Sequence, residues 1–143
     1  MNRSKRILAI AAIAAALALP PAVYAANSGQ KTKIVIQVTD NNPAKWNLAL
    51  NNAKNLQKTF GKKNSTIEVV AYGPGLNMLK FDSTVSSRLE DIAAQGIKIA
   101  ACGNTMKAMH LTLADLSPAV HEVPAGAVEI VRREREGYAY LHP

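Results

Sequence analysis

One cysteine, Cys102, stands in a chain of 143 residues, so no disulfide can form within it and no zinc site can be built from several thiolates. Aromatic residues make up only 5% of the chain. No one-sided basic stripe interleaved with stacking rings is present, which sets nucleic-acid recognition aside. The longest unbroken apolar run, Ile7 to Leu19, is 13 residues, well short of the roughly 20 that a membrane-spanning helix needs. There is no internal repeat, low-complexity tract or linker. What is present is an ordinary globular composition, 48% apolar and 19% charged, of one-domain size.

The apolar run follows Arg3, Lys5 and Arg6 and precedes Pro20, Pro21 and Val23-Tyr24-Ala25. That is the three-part layout of a secretory signal with small residues at its cleavage site. Cutting after Ala25 is expected to leave a single domain, residues 26–143, that is periplasmic or secreted and has no membrane span. The full chain carries 17 Lys+Arg against 10 Asp+Glu. Three of those cations leave with residues 1–25, so the mature protein is only mildly basic. Glu129 with Arg133 and Arg132 with Glu136 lie four apart and are expected to compensate on a solvated helix face.

The mature chain alternates short β-branched runs with amphipathic stretches. Ile34 to Val38 reads as a buried strand ending at Asp40-Asn41-Asn42-Pro43. Asn42 suits an N-cap and Pro43 a first helical position. Trp46, Ala49, Leu50, Ala53, Leu56 and Phe60 then share one face up to Gly61. Ile67 to Tyr72 gives a second strand. Val85, Leu89, Ile92 and Ala93 form a second helical stripe closed by Gly96, and Ile97 to Ala101 is a third strand. Met106, Met109, His110 and Leu113 recur as the face of a third helix, which would place His110 partly buried. A short strand at Val120 to Val123, a helix from about Ala125 to Glu136 and a closing strand, Tyr138 to Leu141, complete the pattern. Such alternation implies parallel pairing with right-handed crossovers, hence a three-layer α/β sandwich of about five strands.

Sites on such sheets gather at the carboxyl ends of the strands. This directs attention to Asp40 and Asn41, to Gly73, Pro74 and Gly75, to Cys102, Gly103, Asn104 and Thr105, and to Val123 through Gly126. A dinucleotide fingerprint fails because Met78 stands where a third small residue is needed, and no Gly-Lys-Ser/Thr follows to make a P-loop. Asp40 to Pro43 also lacks the Ser/Thr and Gly donors of a flavin phosphate loop. His110, His121 and His142 have no ligand spacing, so no metal is expected. A hydrolytic dyad of Cys102 with His110 or His121 has no local signature.

Cys102 falls where the third strand gives way to a helix. Unpaired backbone N–H groups and the positive end of the helix dipole there favour a thiolate. A reactive Cys102 would be solvent-reachable and have a lowered pKa. Free cysteine is also among the most buried residue types, so a packing role stands equally open from the residues alone.

Val70-Ala71-Tyr72-Gly73-Pro74-Gly75, Ile97 through Cys102-Gly103-Asn104-Thr105, and Glu129-Ile130-Val131 to Gly137-Tyr138-Ala139-Tyr140-Leu141 together resemble the DsrE/DsrF-like family of sulfur-metabolism proteins. The resemblance spans almost the whole mature chain. It implies an α/β/α sandwich with a five-stranded parallel sheet, assembled as a homo-oligomer, a trimer or hexamer. In sulfur-relay members a cysteine just after the third strand carries sulfane sulfur as a persulfide, and Cys102 holds the matching position. The implied chemistry needs no cofactor and would use a donor or acceptor thiol protein as partner. The competing reading is a non-enzymatic oligomeric scaffold or small-ligand-binding protein in which Cys102 is structural.

Overall fold

In a computed structural model, which describes residues 31–143, Asn42 Oδ1 accepts the Ala44 N–H at 2.9 Å and Pro43 opens the first helix. The proposed leader and its cleavage site lie outside the described residues. Five strands form the sheet: β1 (Thr32–Val38), β2 (Ser65–Ala71), β3 (Lys98–Cys102), β4 (His121–Val123) and β5 (Ala139–Leu141). Between them run α1 (Pro43–Phe60), α2 (Ser86–Ala94), α3 (Gly103–Ala108) and α4 (Gly126–Arg135). A 3₁₀ turn occupies Gly73–Leu79 and a shorter one Leu113–Asp115.

All neighbouring strands are parallel, in the order β4-β3-β2-β1-β5. This order determines which helix covers which face. From β1 to β4 the chain steps steadily toward one edge, so right-handed crossovers put α1, α2 and α3 on the same side. From β4 it returns to the far side of β1, and the same handedness places α4 alone on the opposite face. The main core accordingly joins Ile34, Ile36, Val69 and Ile99 to Trp46, Leu50, Leu89 and Ile92. The second is small, with Val35, Val70, Ala100, Val123 and Ile130 flanked by Tyr72 and Tyr138. A three-layer α/β sandwich with a five-stranded parallel sheet is therefore the fold.

Three sequence expectations change. Phe60, at the end of the α1 stripe, is exposed. The third helix stops at Ala108 rather than running to Leu113: His110 takes a left-handed φ of 56°, His110 N–H bonds Lys107 O at 3.1 Å, and Leu111 N–H reaches back to Met106 O at 2.9 Å. This is a Schellman closure with histidine in the place usually held by glycine, so no glycine marks it in the sequence. His110 is consequently exposed, not partly buried, and Leu113 is exposed in the turn that follows.

The third change concerns α4. Arg133 does not lie on a solvated face; it turns inward to Glu68 of β2, whose side chain is fully buried. Arg133 Nε–H donates to Glu68 Oε2, and its guanidinium also pairs with Glu129 at 2.9 Å and Glu136 at 3.0 Å. Burial works against the guanidinium, but the Glu68 carboxylate outweighs it and holds Arg133 firmly charged. His121 Nε2 faces the other Glu68 oxygen at 3.4 Å. Arg132 with Glu136, 2.6 Å apart, is the pair that stays on the outside.

Candidate functional site

Cys102 ends β3 and is at the same time the N-cap of α3. Thr105 N–H donates to its Sγ at 3.5 Å, as an N-cap acceptor demands. A second helix starts close to it from another part of the chain. Cys102 pairs in register with Val123 of β4, and two residues, Pro124 and Ala125, then bring Gly126 round to open α4. The backbone N–H groups of Gly126 and Asn104, near the thiol, favour its charged form as that of Thr105 does. Asn104 N–H also reaches Pro124 O at 3.2 Å, tying the two loops to each other. Burial alone would push the Cys102 thiol up, but the Thr105 contact and the three backbone donors outweigh it and leave the pKa below its ordinary value.

Cys102 is largely covered in this conformation, only 5% exposed. The expectation of a solvent-reachable thiol is corrected to a covered one. Tyr72, which follows β2, stands beside it on the same sheet face, since Ala71 and Ala101 are register partners one step earlier. Burial raises the Tyr72 phenol, and the neighbouring Tyr140 and Cys102 raise it further.

Along α3 lies an open, largely apolar groove of about 550 Å³, lined by Gly73, Pro74, Asn77, Asn104, Thr105, Ala108 and Met109 but not by Cys102 itself. Thr105 Oγ1 accepts the Gly73 N–H at 3.0 Å, so the loops after β2 and β3 are held as one wall. Of the residues singled out in the sequence, Gly73, Pro74, Asn104 and Thr105 line this groove. Gly103 and Gly75 do not: Gly103 is buried against the Glu122 side chain, and Gly75 against the backbone of Val38 and Thr39. Asp40 is also elsewhere. It pairs with Lys45 at 2.9 Å and lies 3.9 Å from His142, at the end of β1. Asn41 is exposed in the same turn. No histidine is among the hydrogen-bond partners of Cys102, and among the described residues no three His, Cys, Asp or Glu side chains are grouped to hold a metal.

Gly126 falls in the Val123–Gly126 segment flagged by sequence, whereas Tyr72 and the Glu68–Arg133 pair carry no site expectation from sequence. Glu68 did carry a signal, as the one charge inside the otherwise apolar Ile67 to Val70. For Gly126, only its place just after a predicted strand hinted at a helix start.

Among solved structures, MTH1491 from Methanobacterium thermoautotrophicum, a protein of unknown function, is 34% identical to this chain. The match covers 79% of this chain and all of MTH1491, with a TM-score of 0.75. The chain belongs to the MTH1491 family. YchN from E. coli shares the fold at 17% identity and a TM-score of 0.63, covering 80% of this chain and 99% of YchN. BT1422 from Bacteroides thetaiotaomicron, also of unknown function, does so at 18% and 0.61, covering 78% of this chain and 94% of that one. MTH1491 and YchN are DsrE-like proteins, and the five-stranded parallel sheet of this MTH1491-family chain is the DsrE-like fold. No protein-family model and no curated protein matches the chain.

Proposed function

We propose that this protein carries sulfane sulfur as a persulfide on Cys102. The observation that carries the reading is the place of Cys102 as N-cap of α3, with Thr105 N–H on its sulfur and a thiol pKa below the ordinary value in spite of burial. The thiolate attacks the outer sulfur of a donor R–S–SH. The donor S–S bond breaks, R–S⁻ leaves, and Cys102–S–SH forms with no net oxidation. An acceptor thiolate on a second protein then takes the outer sulfur by the same exchange and regenerates the Cys102 thiolate. The chain has no second cysteine that could resolve the persulfide into an internal disulfide. Gly73, Pro74, Asn104 and Thr105 form the surface that a donor or acceptor meets.

The working form is an exported domain beginning at Ala26, which N-terminal sequencing of the exported protein checks. It is a homo-oligomer, a trimer or hexamer. Supporting assembly, α4 alone covers one sheet face, and Val128, Val131 and Tyr140 are left exposed there. A second reading, a ligand-binding or scaffold protein with a structural cysteine, is favoured by the 5% exposure of Cys102. Alkylation of the folded protein near neutral pH separates the two. The carrier reading expects modification at a rate typical of an activated thiol; modification only after denaturant is added gives the site to the second reading.

A further inference from the structure

All five strands run parallel, so their amino ends share one pole of the sheet, and the helices that lead into β2, β3 and β5 end there. Lysines far apart in sequence are gathered at this pole. Lys31 precedes β1, Lys54 and Lys58 occupy the last turns of α1, Lys62 and Lys63 lie between α1 and β2, and Lys98 opens β3; all six are exposed. Among the described residues, the carboxylates held in ion pairs are those of Asp40, Glu68, Glu129 and Glu136, and none of these pairs includes one of the six lysines. Glu136 is taken by Arg132 and Arg133, and exposed Glu134 has exposed Arg135 beside it, which leaves Glu90 and Asp91 of α2 to set against six cations. The opposite pole, where β3 ends at Cys102, differs: Asp40 pairs with Lys45, and Asp82 and Asp115 accompany Lys80.

Shape and an apolar element narrow what these charges meet. Lys54, Lys58 and Lys62 border a hollow of about 430 Å³. A second groove, mostly apolar, shares Asn55 with it and is walled by Leu56 and Phe60. Phe60 is 42% exposed and lies in sequence between Lys58 and Lys62. A soluble polyanion would use the charges and leave this ring in water, whereas a bilayer surface takes both, with headgroup phosphates on the lysines and the ring in the interface. The apolar run Ile7 to Leu19 also joins the domain at this pole, through Lys31 and β1.

We propose that this pole is a docking surface for an anionic phospholipid bilayer, with Lys54, Lys58 and Lys62 meeting headgroup phosphates and Phe60 entering the interface. Seated in this way, the domain turns the carboxyl ends of its strands, and Cys102 with them, away from the lipid. Docking of this kind is independent of the chemistry at Cys102.

The test uses residues 26–143, which contain the whole described fold, in cosedimentation with vesicles of mixed phosphatidylglycerol and phosphatidylcholine, and with phosphatidylcholine vesicles alone. Binding should require phosphatidylglycerol and weaken as salt rises from about 0.05 to about 0.5 M. Lys58→Glu should weaken it about tenfold or more, while Lys107→Glu, an equal change of net charge made on α3, leaves it within about twofold. Trp46, the one tryptophan, is buried near the start of α1, so wild-type emission should stay unchanged on binding, whereas Phe60→Trp should add a blue-shifted component. Absence of binding to the anionic vesicles, equal binding to both lipid compositions, or equal losses in the two charge reversals overturns the proposal. So does release from the vesicles by duplex DNA or poly-glutamate at matched charge, which gives the pole to a soluble polyanion. If Lys58→Glu does not fold, the lipid and salt dependence of the wild type and the Phe60→Trp emission decide.

Discussion

Replacing Arg133 by Met tests how α4 is fixed to the sheet. Arg133 is the cation that answers Glu68, a carboxylate with no exposed surface whose Oε1 has no hydrogen-bond donor and faces only the His121 ring at 3.4 Å. Removing one partner of a buried pair leaves an uncompensated charge and costs about 3–5 kcal/mol. Loss of the Arg133 guanidinium over the Tyr138 ring, 5.1 Å from its centroid, adds about 0.5–1 kcal/mol. Against a total stability of roughly 5–15 kcal/mol for a domain this size, the variant should be close to unfolding. Glu129 and Glu136 remain covered by Arg132, so the charge left bare is that of Glu68. Glu68→Leu with Arg133→Met should therefore recover most of the loss, because an apolar pair of similar volume replaces a buried ion pair at little cost. Urea unfolding of the four proteins gives the coupling, expected above about 2 kcal/mol. A loss below about 1 kcal/mol in Arg133→Met, or a double variant that merely sums the two single ones, would refute the argument.

Gly75 lies against the backbone of Val38 and Thr39, where a Cβ would meet main-chain atoms that cannot swing aside. Gly75→Ala should cost about 1–3 kcal/mol in thermal or urea unfolding, and a neutral result would contradict the packing described. The Cys102 pKa is lowered in the folded state, so across the interval up to the unfolded value of about 8.5 the unfolded chain binds more protons. Stability should rise with pH through that window relative to Cys102→Ser and be lost as pH falls through the folded value; parallel curves for the two proteins would count against a stabilised thiolate. Light scattering should return a trimer or hexamer at micromolar concentration, and a monomer across that range would remove the proposed assembly.

Much of the fold was legible because local signals and burial agree. The Asn42-Pro43 start, the α1 stripe and the closing Gly61 all point to one helix, and the β-branched runs are the strands found. Where reading failed, tertiary context decided. His110 adopts a left-handed conformation that sequence usually announces with glycine, so the third helix was read too long. Arg133 and Glu129 have the spacing of a surface pair, and only the buried Glu68 opposite them, contributed by a strand far away in sequence, makes them interior. At the site, the position of Cys102 at a strand end and helix start was readable from Gly103 and the residues beyond. That Tyr72 comes beside Cys102 was not, because it follows from the pairing of β2 with β3, which no local pattern encodes.

The central claim is that Cys102 holds a transferable sulfur. Intact mass spectrometry of the mature protein after exposure to a sulfane-sulfur donor tests it most directly, with Cys102→Ser treated in parallel. The account predicts a gain of one sulfur atom per chain, about 32 Da, absent in Cys102→Ser and lost again when an acceptor thiol is added. A folded wild-type protein whose mass does not change, or one that gains the same mass without Cys102, would contradict it.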